Sequence, residues 1–244
     1  MRTLAIITGK CILSARKLAE AMNTRTHGEW QAKVFDVRKG QYPLKFNYEF
    51  AYGCSEAMKH TQHLINRPEA VKRCVDKVKT FDALVKVGVP IPGFCNNIRD
   101  VRKTWERIVV RSKVNGRKAE DLEYFHQGDV LPEAPLYTEY FEHKYEYRIV
   151  VFMGKVVGRY YKKEQGFTPE GQVEWNFMVQ PKRGFEAIDD ACVRAAKALG
   201  IDYVGFDVVA MDKKHFVVLE ANSGPILTEE AETAIVEYYL NLPE

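Results

Sequence analysis

Hydrophobic residues are distributed along the chain in three stretches with different spacing. The first begins with an apolar run at 4–8, continues with a helical pattern at 14–22 and returns to an apolar run at 32–37. This order predicts a small β-α-β unit. The segment that follows, 39–55, is rich in aromatic and turn residues, and its pattern predicts neither a helix nor a strand.

The second stretch is predicted to be helical, and the third to consist mainly of strands. A helix is expected to begin at Pro68 and to continue to Val87, where Gly88 and two nearby prolines end it. A short strand is predicted at 108–111. The third stretch is predicted to contain strands at 136–141, 145–152 and 156–161, a helix at 186–199, and a final hairpin of strands 203–211 and 215–221.

Composition and charge indicate an ordinary globular protein. Of the 244 residues, 46% are hydrophobic and 28% are charged, and no apolar run approaches the ~20 residues that cross a bilayer. The net charge of +3 permits an anionic ligand but is too small to indicate a nucleic-acid-binding protein. The five cysteines lack metal-type spacing and the N-terminus lacks a signal-peptide pattern, so a soluble, cytoplasmic protein with reduced thiols is expected.

The final hairpin carries the strongest indication of a site. Asp207 and Glu220 lie in otherwise apolar strands, and a two-residue loop at 213–214 would place them directly opposite each other. Two opposed carboxylates repel, and a divalent cation would relieve the repulsion. Oxygen ligands from these two residues and from Asn222 suit Mg²⁺. The alternative is that the acidic residues lie on a solvated face or pair with lysines.

Basic residues elsewhere are candidates for binding phosphate groups. Arg148 follows Glu146 by two residues in a predicted strand, so both side chains project from the same face. A guanidinium on a strand face can hold a phosphoryl group. Lys77 lies in the predicted helix, and Arg111 ends a short strand. For any one of these residues, a solvated surface position is the more common alternative.

Taken in order, these segments resemble the ATP-grasp superfamily. The runs that carry the resemblance are DKVKTFDALVKVGVPIPGF, LYTEYFEHKYEYRIVVFMGKVV, ALGIDYVGFDVV and HFVVLEANSGP, which together span about 66–227. The phrases PLYTEYFEHKYEYR and NRPEAVKRCVDKVKTF are most similar to small bacteriophage-encoded ATP-grasp proteins grouped with carboxylate–amine ligases. The resemblance implies a mixed α+β and α/β fold, in which a short α/β N-terminal subdomain precedes two α+β subdomains that clasp ATP.

The resemblance also implies a division of the chain and a set of ligands. Residues 1–65 would form the N-terminal subdomain and 66–244 the ATP-grasp domain, with a lid at roughly 95–138 and a catalytic half at roughly 139–244. The cofactors would be ATP and Mg²⁺. The substrates would be a carboxylate and an amine, each a small molecule or part of a peptide or protein. No nucleic-acid or membrane partner is expected, and a phage-encoded protein would work in the host cytoplasm.

Two groups of residues are assigned to the nucleotide by the resemblance. Two cations, Lys77 and Arg111, would contact its phosphates. Backbone groups of Glu139, Tyr140 and Phe141 would form hydrogen bonds with the adenine edge. The side chain of Glu146 would bind the ribose hydroxyls.

The remaining implied roles concern the metal and the transferring group. Arg148 would contact the γ-phosphoryl group and the acyl phosphate. The implied Mg²⁺ ligands are Asp207, Glu220 and Asn222. A looser resemblance assigns substrate or phosphate contacts to Lys162 (or its neighbour Lys163) and to Asn176.

The sequence departs from the family pattern at two points. The second cation is usually lysine, whereas here it is Arg111, which is permanently charged. The loop after it, 112–121, contains only Gly116 where the family has several glycines that let the backbone approach phosphates. Three cations of this loop would replace the glycines by charge: Lys113, Arg117 and Lys118.

Four functions remain open on the sequence alone. The first is a ligase that joins a carboxylate to an amine or a thiol, and the second is a kinase with the same fold. The third is a non-catalytic nucleotide-binding or scaffold protein, which the glycine-poor loop favours and the retained acidic hairpin disfavours. The fourth, a nucleic-acid-binding protein, is disfavoured by the low net charge. We expect the ADP-forming carboxylate–amine ligase.

Overall fold

The N-terminal part of the chain forms a four-stranded parallel sheet. The computed structural model describes residues 1–9, 11–43, 46–55, 63–115, 122–167 and 173–243. The strands are β1 (Arg2–Thr8), β2 (Trp30–Asp36), β3 (Tyr48–Tyr52) and β4 (Leu64–Ile65), in the order β2-β1-β3-β4. Helix α1, Ile12–Arg25, connects the first two strands. The β-α-β prediction is confirmed, and the segment without a prediction contributes β3.

Two helices replace the single helix predicted at 68–87. They are α2 (Pro68–Val75) and α3 (Lys77–Val85), separated by Asp76, whose backbone is extended with ψ at 107°. The Asp76 carboxylate accepts a hydrogen bond from the backbone N–H of Lys79 at 3.1 Å and so caps α3. The prediction of one helix was wrong because hydrophobic periodicity continues across the cap. The break places Lys77 in the first turn of α3.

A second, antiparallel sheet lies between 94 and 139. Its strands are β5 (Phe94–Cys95), β6 (Arg107–Arg111), β7 (Leu122–His126) and β8 (Leu136–Glu139), in the order β5-β8-β6-β7. A small core of its own forms around Trp105, Ile108, Val110 and Tyr137. The sequence predicted β6 and β8, although β8 ends two residues earlier than expected.

The third sheet has five antiparallel strands. They are β9 (Tyr145–Phe152), β10 (Lys155–Phe167), β11 (Val173–Val179), β12 (Tyr203–Ala210) and β13 (Phe216–Asn222), in the order β11-β10-β9-β12-β13. Helix α4, Glu186–Leu199, ends at Gly200, which is left-handed. The bounds of β9 and α4 are those predicted, whereas β11 was not predicted.

Alternate residues of β9 belong to two separate cores. Ile149 and Val151 lie in a core shared with α2, α3 and α4. Val150 and Phe152 lie in a core shared with the first sheet, α1 and a C-terminal helix, α5 (Glu229–Leu240), which the sequence pattern had not indicated. The first sheet therefore packs directly against one face of the third.

This shared core bears on the domain organisation. The first and third sheets bury side chains against each other. The domain boundary expected between residues 65 and 66 stays a prediction, as do the bounds of the lid. All five cysteines are free thiols, as expected. Among the helices in the described part of the chain, none combines the length and apolar composition that a membrane span needs.

Candidate functional site

A cavity of about 320 Å³ lies between the second and third sheets, next to the start of α3. Its apolar lining comes from Leu122, Trp175, Val208, Val209 and Leu219. Its charged lining consists of side chains that the sequence had singled out, namely Lys77, Arg111, Glu146, Arg148, Lys162, Asp207 and Glu220. The structure therefore brings together candidates that are scattered over most of the chain.

Asp207 and Glu220 lie directly opposite each other in the hairpin of β12 and β13. The predicted opposition is confirmed, but the two-residue loop assumed for it is wrong. The loop is longer, because the N–H of Met211 donates to the carbonyl of His215 at 2.9 Å. A β-bulge at Leu219 adds one residue to β13 and restores the opposition of the two carboxylates.

Arg148 forms a two-point ion pair with Asp207. The two residues are paired in the register of β9 and β12. The Nε and Nη2 atoms of Arg148 donate to the two carboxylate oxygens, the second at 3.0 Å, and the side chains are only 12% and 14% exposed. Gly205 leaves room for this arrangement, since a Cβ there would lie 2.9 Å from Cδ of Arg148. The guanidinium is therefore held in a fixed orientation on the cavity wall.

Lys162 contacts two carboxylates at once. Its Nζ lies 3.3 Å from Oδ2 of Asp207 and 3.2 Å from Oε2 of Glu146. The ring centroid of Trp175 lies 4.4 Å from the same Nζ. The Lys162 side chain is only 9% exposed, so these carboxylates and the aromatic face replace much of its hydration.

Lys77 and Arg111 also line the cavity. The Nζ of Lys77 lies 3.7 Å from Oε2 of Glu220, and its backbone N–H donates to the carbonyl of Val114 at 3.1 Å. Lys113 is exposed in the same loop after β6. The single glycine of this loop, Gly116, and the other two cations predicted to replace glycines, Arg117 and Lys118, lie outside the described residues.

Two acidic residues of the cavity, Asp207 and Glu146, have lowered pKa values because of the cations beside them. Burial raises the pKa of Asp207, but the charges and hydrogen bonds of Arg148 and Lys162 outweigh it and hold that pKa below its ordinary range. Burial likewise raises the pKa of Glu146, and His143 and Lys162 outweigh it. The pairing with lysines that the sequence left open as an alternative is therefore present.

The segment 139–141, to which the adenine edge was assigned, already uses two of its three backbone N–H groups. The N–H of Glu139 donates to the carbonyl of Gly93 at 2.8 Å, and the N–H of Tyr140 donates to the carbonyl of Arg107 at 2.9 Å. These bonds fix the path of the chain between the second and third sheets. They leave the N–H of Phe141 as the candidate donor to an adenine edge.

His143 connects this segment to the cavity. Its Nδ1 lies 2.8 Å from the carbonyl oxygen of Phe141, and its Nε2 lies 3.4 Å from Oε1 of Glu146. The hydrogen bond to Glu146 raises the pKa of His143, which favours the imidazolium form that donates from both nitrogens. The imidazole thus orients the carboxylate predicted to bind the ribose.

Six predicted residues are absent from the cavity lining, namely Lys113, the three residues assigned to the adenine edge, Asn176 and Asn222. Asn176 is exposed in β11 and pairs with Lys163, so strand alternation places it on the face opposite Lys162. Asn222 shares the face of Glu220, but its Oδ1 accepts a hydrogen bond from the N–H of Gly224 at 3.1 Å. The structure therefore places Asn222 beside the cluster and does not bring Asn176 into it.

Three residues of the site were not identified from the sequence. Gly205 had a signal, since a glycine inside a strand run often marks a close approach. Trp175 belongs to β11, which the pattern did not predict. His143 lies between β8 and β9, and the hydrophobic pattern around it does not indicate its contacts with Phe141 and Glu146.

Sequence comparison finds relatives among curated enzymes. No protein-family model matches the chain. It is 29% identical over 185 residues to a β-citrylglutamate synthase B of Danio rerio, and 28% identical over 183 residues to an N-acetylaspartylglutamate synthase A of Homo sapiens. Each match covers 66% of this chain, and 44% and 46% of the respective relatives. The chain thus matches less than half the length of these relatives.

Structural comparison extends over nearly the whole chain. A structure of the ATP-grasp ligase PsnB, complexed with a minimal precursor, has a TM-score of 0.73 at 15% identity and covers 99% of this chain and 100% of that one. The D-alanine–D-alanine ligase of Bacillus anthracis has a TM-score of 0.65 at 12% identity, with 98% and 97% covered. The chain has the ATP-grasp fold.

The fold expected from the sequence is therefore confirmed. Within the ATP-grasp fold, the charged cavity lies between the second and third sheets. A second structure of PsnB, with precursor, Mg and ADP, has a TM-score of 0.70 at 14% identity and covers 98% of this chain and 97% of that one. The narrower similarity to bacteriophage-encoded members stays a prediction.

Proposed function

We propose that this ATP-grasp protein is an ATP- and Mg²⁺-dependent ligase that activates a carboxylate as an acyl phosphate. It then joins the acyl group to an amine and releases ADP and phosphate. The observation that carries the proposal is the single cavity in which Asp207, Glu220 and Arg148 meet Lys77 and Arg111. Carboxylates for a divalent ion and cations for phosphates are what a magnesium–nucleotide complex requires.

The nature of the related proteins supports a ligase. The curated relatives are named as synthases, and the solved neighbours are named as ligases. Because the chain matches less than half of those relatives, we propose its substrates only by class. They are a carboxylate and an amine, each a small molecule or part of a peptide. A cytoplasmic location and membership of the bacteriophage-type subgroup rest on the sequence alone.

The nucleotide would lie in the cavity between the second and third sheets. Lys77 and Arg111 would contact its phosphates, with Lys113 in the adjoining loop. The N–H of Phe141 would meet the adenine edge. Glu146, which His143 already orients, would accept hydrogen bonds from the ribose hydroxyls.

The residues present fit Mg²⁺. Asp207 and Glu220 face each other across the hairpin, and Asn222 lies on the same face of β13, so the donors are all oxygen atoms. These three residues would hold the ion. When bound, Mg²⁺ would neutralise charge on the phosphate oxygens.

Arg148 is placed to stabilise the transferring phosphoryl group. Its guanidinium is anchored by Asp207 and lines the cavity, so its position needs no reorganisation during the reaction. A carboxylate oxygen is a poor leaving group, and activation must therefore precede attack by the amine. Among the described residues, the cavity lining includes no serine, cysteine or histidine, so we propose no acyl-enzyme ester.

A trapping experiment tests this proposal. Candidate acids are first screened for ADP release in the presence of ATP and Mg²⁺. With the active acid supplied and the amine withheld, hydroxylamine should capture the acyl phosphate as a hydroxamate. Arg148→Ala should reduce trapping about 100-fold and weaken ATP binding much less, since one stabilising group of the transition state is lost.

The matched control is Arg194→Ala, which removes an arginine paired with Asp190 on the surface of α4. It should trap hydroxamate as well as the wild type does. AMP and pyrophosphate as products would contradict the mechanism. A stable phosphorylated product that hydroxylamine does not capture would instead indicate a kinase.

A further inference from the structure

Both oxygens of the Asp207 carboxylate are already in contact with cations of the chain. Arg148 donates to each oxygen, and Lys162 lies 3.3 Å from Oδ2. A divalent ion bound by Asp207 needs at least one of these oxygens. Arg148 and Lys162 therefore occupy the same acceptor sites that the proposed metal would use.

The carboxylates of the cavity are already matched by cations of the chain. Three carboxylates pair with three cations, in the pairs Glu220–Lys77, Asp207–Arg148 and Glu146–Lys162, and the lining contains a fourth cation, Arg111. A bare divalent ion would add two uncompensated positive charges to a largely buried cluster, which is costly at low dielectric. Nucleotide phosphates carry negative charge that would offset the charge of the ion.

Of the two cations on Asp207, Lys162 is the one that can change partners. Arg148 is held by a planar two-point contact, whereas Lys162 carries a point charge on a flexible four-carbon stem. The Trp175 ring, whose centroid lies 4.4 Å from the Lys162 Nζ, belongs to the same cavity lining. Rotation about the bonds of the lysine stem would release Asp207 and leave its contact with Arg148 in place.

We propose that Lys162 is an internal counter-ion that competes with Mg²⁺ for Asp207, so that the site takes the metal together with the nucleotide. The inference rests on the proposed nucleotide site. As phosphates enter, the Lys162 ammonium exchanges a carboxylate oxygen of Asp207 for a phosphate oxygen, and no covalent bond or proton moves. Lys162 thus couples binding of the metal to binding of the nucleotide.

Binding of Mn²⁺, measured by electron paramagnetic resonance on the intact protein, tests the inference. Without nucleotide, Lys162→Met should bind Mn²⁺ about 10-fold more tightly than the wild type, because the competing ammonium is gone. With a non-hydrolysable ATP analogue, the wild type should bind Mn²⁺ tightly and the difference should shrink. The matched control is Lys163→Met, which changes an exposed lysine on the other face of β10.

Two further variants keep the test decisive. Lys162→Gln should reproduce the gain if the methionine variant is unstable in thermal melts. Adding Asp207→Asn to Lys162→Met should remove the gain. Equal Mn²⁺ affinity in the wild type and both Lys162 variants without nucleotide would overturn the inference and leave the ligase proposal intact. A wild type that does not bind Mn²⁺ even with the analogue would overturn both.

Discussion

Gly205 and Arg148 lie side by side on neighbouring strands, and the missing side chain of the glycine leaves the space that the arginine occupies. A Cβ at position 205 would lie 2.9 Å from Cδ of Arg148 and 2.9 Å from Cβ of Pro225, both too close for real contacts. Arg148 in turn holds Asp207. One glycine in β12 thereby fixes the position of the proposed phosphoryl-binding group.

Gly205→Ala should therefore displace Arg148 and lower turnover about 100-fold, as expected for a misplacement of ~1 Å at a reacting centre. ATP binding, measured by calorimetry, should change much less. Gly40→Ala is the control. An alanine at this position has a strained backbone, because φ is 67°, but nothing lies within 4 Å of the added Cβ. Equal losses of turnover in both variants would point to a general loss of stability.

Asp207→Asn should abolish ATP turnover and also destabilise the protein by about 3 kcal/mol, because two largely buried cations lose their shared carboxylate. Urea denaturation measures the second effect. Asp190→Asn breaks a pair on α4 in which the aspartate is 65% exposed, and it should change the free energy of unfolding by less than about 1 kcal/mol. An Asp207→Asn protein as stable as the wild type would argue against the ion-pair network.

Lys77→Ala and Arg111→Ala should each weaken binding of Mg-ATP by about 1.5–3 kcal/mol, the size of a charge-assisted hydrogen bond. Lys214→Ala changes an exposed residue of the hairpin loop and should leave binding unaltered. Isothermal titration calorimetry compares the three variants. The same loss in all of them would indicate a diffuse positive field without a defined phosphate site.

The contact between His143 and Glu146 should give stability a characteristic dependence on pH. The pKa of His143 is raised, so its contribution is complete below its usual value of 6.5 and is lost as pH rises through the higher folded value. The pKa of Glu146 is lowered, so its contribution is complete above its usual value of 4.5 and is lost as pH falls through the lower folded value.

His143→Gln should therefore destabilise the protein most between the two usual pKa values, 4.5 for Glu146 and 6.5 for His143, because both groups are then charged in the wild type. The difference in stability from the wild type should shrink above neutrality. Thermal melts across the pH range measure it. His126→Gln provides a control at an exposed histidine, at the end of β7. A destabilisation by His143→Gln that is constant with pH would exclude an ionic contact.

The sequence by itself determined the residue types of the site and many of the elements that carry them. Asp207 and Glu220 were identified because carboxylates in apolar strands are chemically informative, whereas the roles of the other charged residues of the lining came from the resemblance to the ATP-grasp superfamily. The bounds of β9 and α4 were also predictable, since strand alternation and a left-handed glycine are local signals.

Only the tertiary structure decided which charges meet. Lys162 reaches Asp207 because β10 and β12 both pair with β9, and the opposition of Asp207 to Glu220 depends on a bulge at Leu219. The same pairing places Asn176 on the other face of the sheet. The register between strands that are far apart in the sequence depends on how whole sheets pack. It cannot be predicted from the alternation of side chains within one strand.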